Sequence, residues 1–427
     1  MKQLFFLFLI AGNICACAQE RTGFINEKEV ERIERVLASD ELLGRRPGTP
    51  GIEKAATFIS EEFKKAGLKP LHGLDSFVQK FKLLDPKFIS VSGEMDGTAL
   101  DPKNIIAITT REDLKIDEKS GYEFKTILPD SNLMREAYKL ISARKNYIVF
   151  VNESYAKDFN RITRFKQPGF ESPHSIVFVL SNKSQPKKFT VQAKHTMNAV
   201  PMSNVAGMLP GRSKPDEYVI FSGHYDHIGI GKAVNNDSIF NGANDDAAGT
   251  TAVIALANHF KGLNNNERTI IFAAFTAEES GGFGSQYFSQ QLDPAKVIAM
   301  FNIEMIGTES KWGKNSAYIT GFDQTDMGKI LQKNLDGTAF KFYPDPYPDQ
   351  DLFYRSDNAT LARLGVPAHT ISTSKMDSEK FYHTVDDEVE TLDIQNMTAI
   401  IRAIAKSSMT IIGGKDTPAR VNTKQLR

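Results

Sequence analysis

Several acids and imidazoles of this 427-residue chain fall where an α/β protein would collect them. Gly223-His224-Tyr225-Asp226-His227 follows the apolar run Tyr218–Ser222. Thr276-Ala277-Glu278-Glu279 follows Thr269–Phe275, and Glu304 comes at the end of Val297–Ile303. Asn241-Gly242-Ala243-Asn244-Asp245-Asp246 opens a helical stretch, and Phe381-Tyr382-His383 reads as a loop. Open α/β sheets place ligands beyond the carboxyl ends of their strands. Three strand ends and two loops would therefore deliver imidazole and carboxylate to one rim.

Those residue types suit hydrolytic metal chemistry. Zinc accepts imidazole nitrogen and carboxylate oxygen at ~2.0–2.2 Å. Two zincs ~3.5–4 Å apart can share a bridging carboxylate and hold a hydroxide between them. One metal polarises a scissile carbonyl, and a free carboxylate takes the water's proton and returns it to the leaving amine. That needs about five ligands and one free acid. Adjacent Glu278 and Glu279 would divide the work if the segment is extended, because neighbouring side chains then face opposite ways.

Each piece alone is weak. A histidine after a strand is usually packed or exposed, a Glu-Glu pair is usually solvated surface, and Asp245-Asp246 alone reads as a helix cap. Their placement at successive strand ends is what carries the signal.

The elements that must position them follow from periodicity. Residues 21–85 read as a helical lead-in, with Ile33, Val36 and Leu37 on one face and Ala56, Ile59 and Phe63 on another. The Gly- and Pro-rich segment 44–51 separates them, and Gly67 is a C-cap candidate. Residues 90–198 predict a β-rich insert, with strands at Ile105–Thr109, Tyr147–Val151, Ser175–Leu180 and Phe189–Ala193. From about 200 onward strands alternate with helices at Ala247–Phe260, Ser285–Gln291, Thr325–Leu335 and Asn358–Leu364, and a last strand falls at Val366–Ile371. This predicts an α/β fold, a mostly parallel, mixed sheet sandwiched by helices. The expected segments are 1–18 export signal, 19–89 first part of the catalytic domain, 90–198 insert, 199–415 catalytic domain and 416–427 tail.

Composition narrows the partners. Lys+Arg and Asp+Glu are both 52, so nothing asks for nucleic acid or an anionic membrane. Lys2, the apolar run Leu4–Ala11 and Ala16-Cys17-Ala18 form a secretory signal pattern, too short for a membrane span. Cleavage after Ala18 would release a soluble protein. Cys17 is also a candidate for bacterial lipidation, which would anchor the chain to a membrane. The expected location is the periplasm, the outer membrane or the medium. Both cysteines lie in this segment, so the mature chain has no disulfide and any metal must use His, Asp and Glu.

The residues at this point resemble a known family, the di-zinc aminopeptidases of metallopeptidase clan MH, family twenty-eight. The matching pieces are 223–227, 241–249, Thr276-Ala277-Glu278-Glu279-Ser280-Gly281, Asn302-Ile303-Glu304-Met305-Ile306-Gly307 and Tyr382-His383-Thr384. Gly48–Gly51 and Asn204–Gly207 resemble its flanking segments, and the likeness covers about 21–85 and 200–410. The resemblance implies a phosphorylase/hydrolase-like fold and two zinc ions. His224 and Glu304 would hold one ion, Glu279 and His383 the other, and Asp245 would bridge them. Glu278 would be the general base, and Tyr382 would hydrogen-bond the developing oxyanion. Asp226 would orient His224, and Asp387 would do the same for His383. Relatives often have a cis peptide after the bridging Asp.

Two departures from the family pattern stand out. Relatives usually carry Asp where this chain has Glu304, and Ser-Asp-His where it has Ser356-Asp357-Asn358. The insert lies where some relatives carry a protease-associated domain. Phe353, Tyr354 and the aromatic 342–354 segment would line an apolar pocket or simply pack.

The activity implied is zinc-dependent removal of amino-terminal residues from peptides. Three alternatives share the fold. A glutamate-carboxypeptidase-like enzyme needs an arginine cluster for substrate carboxylates. A glutaminyl cyclase works with one zinc. A silent binding domain loses ligands or the base, all of which are present here.

Overall fold

The structure is a computed structural model that describes residues 25–426; the expected export signal and Cys17 lie outside the described residues. Among the described residues no helix is long and apolar enough to cross a membrane.

Four parallel strands form the middle of the main sheet: Ala368–Ser372, Val297–Ile303, Lys214–His224 and Arg268–Phe275, in that spatial order. Val297–Ile303 and residues 270–275 are nearly unbroken apolar runs, and residues 219–221 are the apolar middle of the strand between them, as strands covered on both faces must be. Alternate side chains serve opposite faces. Val219 and Phe221 join one core with Ile270, Phe272 and the helices Glu27–Leu37, Pro50–Ala66, Ala248–Leu263 and Ile394–Ile412. Ile220 joins the other with Ile271, Ala273, Phe288 and Leu361. His224 pairs with Phe275 and Ser222 with Asn302, so the strand ends come out level. The strand Lys214–His224 has its successor on one side and the next strand on the other. The order reverses there, which makes it the switch point where such sheets bind ligands.

The parallel block is extended on one side by Ser316–Ile319, antiparallel to Ala368–Ser372, and by Lys341–Pro344. On the other side Phe189–Leu209 runs antiparallel to Arg268–Phe275. The sheet is therefore mixed, as the sequence predicts. Gly67 closes the helix Pro50–Ala66 with φ 76°.

Two long strands, Val78–Met95 and Phe189–Leu209, pair from Val78↔Val205 to Met95↔Phe189 and carry the chain out of the main sheet and back. Between them Ile105–Ile108, Ile176–Leu180, Tyr147–Val151 and Glu123–Ile127 make a separate four-stranded sheet. Its last three strands are parallel, which requires crossover connections; the helix Leu133–Ser142 supplies one. The sequence reading missed that helix, although Leu133, Ala137, Leu140 and Ile141 recur at helical spacing and pack into the insert's core. It also assigned Phe189–Ala193 to the insert alone, although this run is the start of a strand that continues into the main sheet.

Candidate metal centre

The loops beyond the strand ends are held by buried polar groups. Arg45 is fully buried and donates to the carbonyls of Leu37, Tyr225, Asn241 and Gly242, which pins two site loops to the N-terminal helices. Asp246 is equally buried. One oxygen accepts from the N–H of Gly249 at 2.9 Å and of Met305 at 3.0 Å, and the other from His224 N–H at 3.2 Å. One carboxylate thus ties two strand ends to the helix Ala248–Leu263. Gly249 lets the helix approach: a Cβ there would lie 2.0 Å from Ile303 O. The Asp245–Asp246 peptide is cis. Ala277, Met305 and His383 have positive φ, so three sharp bends flank or carry site residues.

These supports bring together all the residues singled out as ligands or base. His224 Nε2 lies 3.2 Å from Asp245 Oδ1. His383 Nε2 lies 3.2 Å from Asp245 Oδ2 and 3.1 Å from Glu279 Oε2. Ligand atoms of His224, Asp245 and Glu304 fall within 4.8 Å of one another, and so do those of His227, Asp245 and Glu279. Glu304 accepts from Ser356 Oγ. Glu278, Glu279, Glu304 and Tyr382 line one cleft of about 270 Å³.

The electrostatics explain what such a cluster needs. Burial disfavours the charge on Asp245, yet the His224 and His383 imidazoles hold its carboxyl far below the usual range. Asp245 and Glu279 push His383 up to about 10. Burial pushes Glu304 up to about 7 and lifts Glu278 well above the ordinary range, helped by neighbouring Glu304 and Asp357. The His224, His227 and His383 imidazoles are the positive partners in direct reach of Asp245 and Glu279. Yet His224 Nε2, His383 Nε2 and Glu279 Oε1 are buried without a hydrogen bond. Ring nitrogens and carboxylate oxygens that converge without bonding one another fit a common cation. The donor set, imidazole and carboxylate without thiolate, suits zinc.

The Asp226 carboxylate lies 3.7 Å from His224 Nδ1, with its main-chain oxygen at 3.2 Å, and it accepts from Glu278 N–H at 3.0 Å. Two expectations need correction. Asp387 makes its hydrogen bonds to Asn244 N–H at 2.8 Å and Asp245 N–H at 3.1 Å, so it positions the bridging acid rather than His383. Glu278 and Glu279 sit in a tight turn closed by Gly281 and Gly282 N–H, not in an extended segment, and both face the cleft.

Asn358, at the departure from the family pattern, is a buried tie: it donates to Phe353 O and accepts from Thr370 Oγ1. Phe353 packs beneath the cleft against His369. The sequence reading missed Arg45, Asp246 and His227. Arg45 lay in a loop with no periodicity to give it a face. Asp246 was read only with its neighbour, and His227 was quoted but given no role.

The fold and site define a class. The family model for Peptidase family M28 matches residues 204–408. A probable leucine aminopeptidase from Trichophyton verrucosum is 24% identical over 61% of this chain and 73% of its own length. A probable zinc metalloprotease from Pyricularia oryzae is 34% identical over 26% of this chain and 22% of its own. Among solved structures, a zinc aminopeptidase from Bacillus subtilis superposes with TM-score 0.55 at 17% identity, covering 92% of this chain and 97% of that one. An aminopeptidase from Aneurinibacillus sp. gives 0.54 at 16%, covering 91% and 94%. At such identities these structures speak for the fold. Residues 204–408 thus carry the match to Peptidase family M28, and the zinc aminopeptidase relatives support a zinc-dependent exopeptidase.

Proposed function

We propose that the chain is an exported aminopeptidase that holds two zinc ions and cuts amino-terminal residues from short peptides. The observation that carries this reading is the convergence of His224, Glu304, Glu279 and His383 on the two oxygens of one buried Asp245. His224 and Glu304 would hold one ion, Glu279 and His383 the other. Zinc there would supply Lewis-acid polarisation of a carbonyl and a lowered pKa for water.

The remaining chemistry belongs to the chain. Glu278 sits on the cleft with its main chain fixed by Asp226, and its burial favours uptake of a proton that it can return to the leaving amine. Tyr382 is stacked on His383 with ring centroids 3.9 Å apart, and burial beside carboxylates raises its phenol pKa, so it stays a donor for a developing oxyanion. Excess carboxylate around the cleft favours a substrate end that is cationic, an α-amino group, over a free carboxylate. Among the described residues Arg355 is the one arginine on the cleft wall, short of the cluster a carboxypeptidase needs.

The test is hydrolysis of aminoacyl-anilides against N-acetylated controls, before and after chelation and zinc add-back. Cleavage of free-amine substrates that is lost on chelation supports the reading. Glu278→Gln is expected to lower kcat by roughly 10²–10⁴-fold with zinc content unchanged. Preference for the blocked substrates would sink the aminopeptidase assignment. Fractionation of the expressing cell, with mass analysis of the mature N-terminus, tests export and the fate of Cys17.

A further inference from the structure

His227 sits in the same cluster with no role so far. It is 1% exposed, and its main-chain N–H reaches Arg45 O at 3.3 Å. The ring is pressed against Gly242, where an added Cβ would lie 2.5 Å from its Cδ2. Its edge meets the His383 ring with centroids 5.6 Å apart. Neither ring nitrogen has a hydrogen-bond partner. A histidine buried for packing would satisfy at least one, since each unpaired buried polar atom costs ~1–3 kcal/mol.

Distance decides what the ring faces. Nδ1 lies 2.9 Å from Glu279 Oε1, itself without a hydrogen bond, and 3.9 Å from Asp245 Oδ2. Two donors ~2.1 Å from one ion stand about 3.0 Å apart at a right angle and about 3.4 Å apart in a tetrahedron. The two spacings bracket these values. The 2.9 Å pair has the distance of a contact but lacks the alignment of an orienting N–H···O bond.

We propose that His227 Nδ1 is a protein ligand of the metal position formed by Glu279, His383 and Asp245. This rests on the two-zinc reading of the site. The two positions then differ in kind. The position at His224 offers one imidazole with the Asp245 and Glu304 carboxylates. The position at His227 offers two imidazoles with the Asp245 and Glu279 carboxylates. The second is the richer in nitrogen, so zinc fills it first and binds there more tightly.

The experiment is calorimetric titration of the apo-protein with zinc alone, with metal analysis, for wild type and His227→Phe. Phenylalanine keeps the ring under Gly242 and removes both nitrogens. The expected result is two binding steps in wild type, with the tighter one weakened in the variant by more than the roughly 10–100-fold that losing an outer partner costs. An unchanged tight step in a folded variant would overturn the proposal. X-ray absorption on wild-type protein loaded with one zinc equivalent needs no variant: two imidazoles on the ion are expected, and one would overturn it. The outcomes separate the two readings. A single zinc carrying two imidazoles would bring down the two-metal reading and leave His227 standing. Two zincs, with one imidazole at the tighter position, would do the reverse.

Discussion

The sheet at 105–180 and the parallel block around His224 both have buried apolar strands at their centres, yet they bury different kinds of polar group. Ile148, Phe150, Val177 and Phe178 fill the first. Among the described residues from 90 to 198, the polar side chains that go under are Thr109, Ser175, Ser181 and His195, with no carboxylate or guanidinium. The catalytic block buries Glu34, Arg45, Asp226, Asp245, Asp246, Asp357 and Asp387. Burying an ion costs several kcal/mol unless partners compensate. One region is thus held by packing and its sheet ladders without a buried carboxylate or guanidinium, and the other by packing plus a charged network that must stay complete. That network is the part that can do chemistry. Its stability should depend on every partner and on pH, while the insert should respond chiefly to volume.

The sharpest way to break this contrast is Arg45→Met, which keeps length and removes the donors to four carbonyls. It should lower unfolding stability by ~3–5 kcal/mol in urea, because buried acceptors lose a charged partner. A loss under about 1 kcal/mol would mean the network is not what holds the loops.

A pH test comes next. His369 is fully buried, donates from Nδ1 to Thr320 O at 2.8 Å and accepts at Nε2 from Thr325 Oγ1 at 2.8 Å. Burial pushes it down to about 4, from an ordinary 6.5. Between those values the unfolded chain binds a proton that the folded chain refuses. The stabilisation is present above pH 6.5 and is lost as pH falls toward 4, by roughly 3 kcal/mol in all. His369→Gln keeps both hydrogen bonds and should flatten that part of the profile. Parallel pH curves for the two proteins would show that His369 is not the titrating group.

The smallest effect is expected in the insert. Ile148→Val there should cost ~0.5–1.5 kcal/mol and leave kcat, zinc content and the pH profile unchanged. A change in kcat would show that the insert reaches the cleft.

Much of the parallel block was readable from the sequence. Val297–Ile303 is matched end to end, and the strands ending at His224 and Phe275 extend the predicted runs by a few residues at most. Unbroken apolar runs between turn signals leave little choice of structure. The five ligand candidates were legible because each follows such a run or forms a local cluster. Less legible were positions whose partners are remote in sequence. Leu133–Ser142 packs into the insert's core, and Phe189–Leu209 serves two sheets in turn.

By itself, the sequence determined the α/β class, the rim on which imidazole and carboxylate gather, and the zinc-peptidase chemistry their types allow. Periodicity and strand-end position are local properties, and local properties can be read along one chain. Only the tertiary structure decided that Arg45 clamps Leu37, Tyr225, Asn241 and Gly242, that Asp226 and Asp387 hold backbone N–H groups of the site, and that His227 faces Glu279. Hydrogen bonds and ligand distances depend on angstrom-scale approach between segments up to almost two hundred residues apart, and no spacing along the chain encodes that approach.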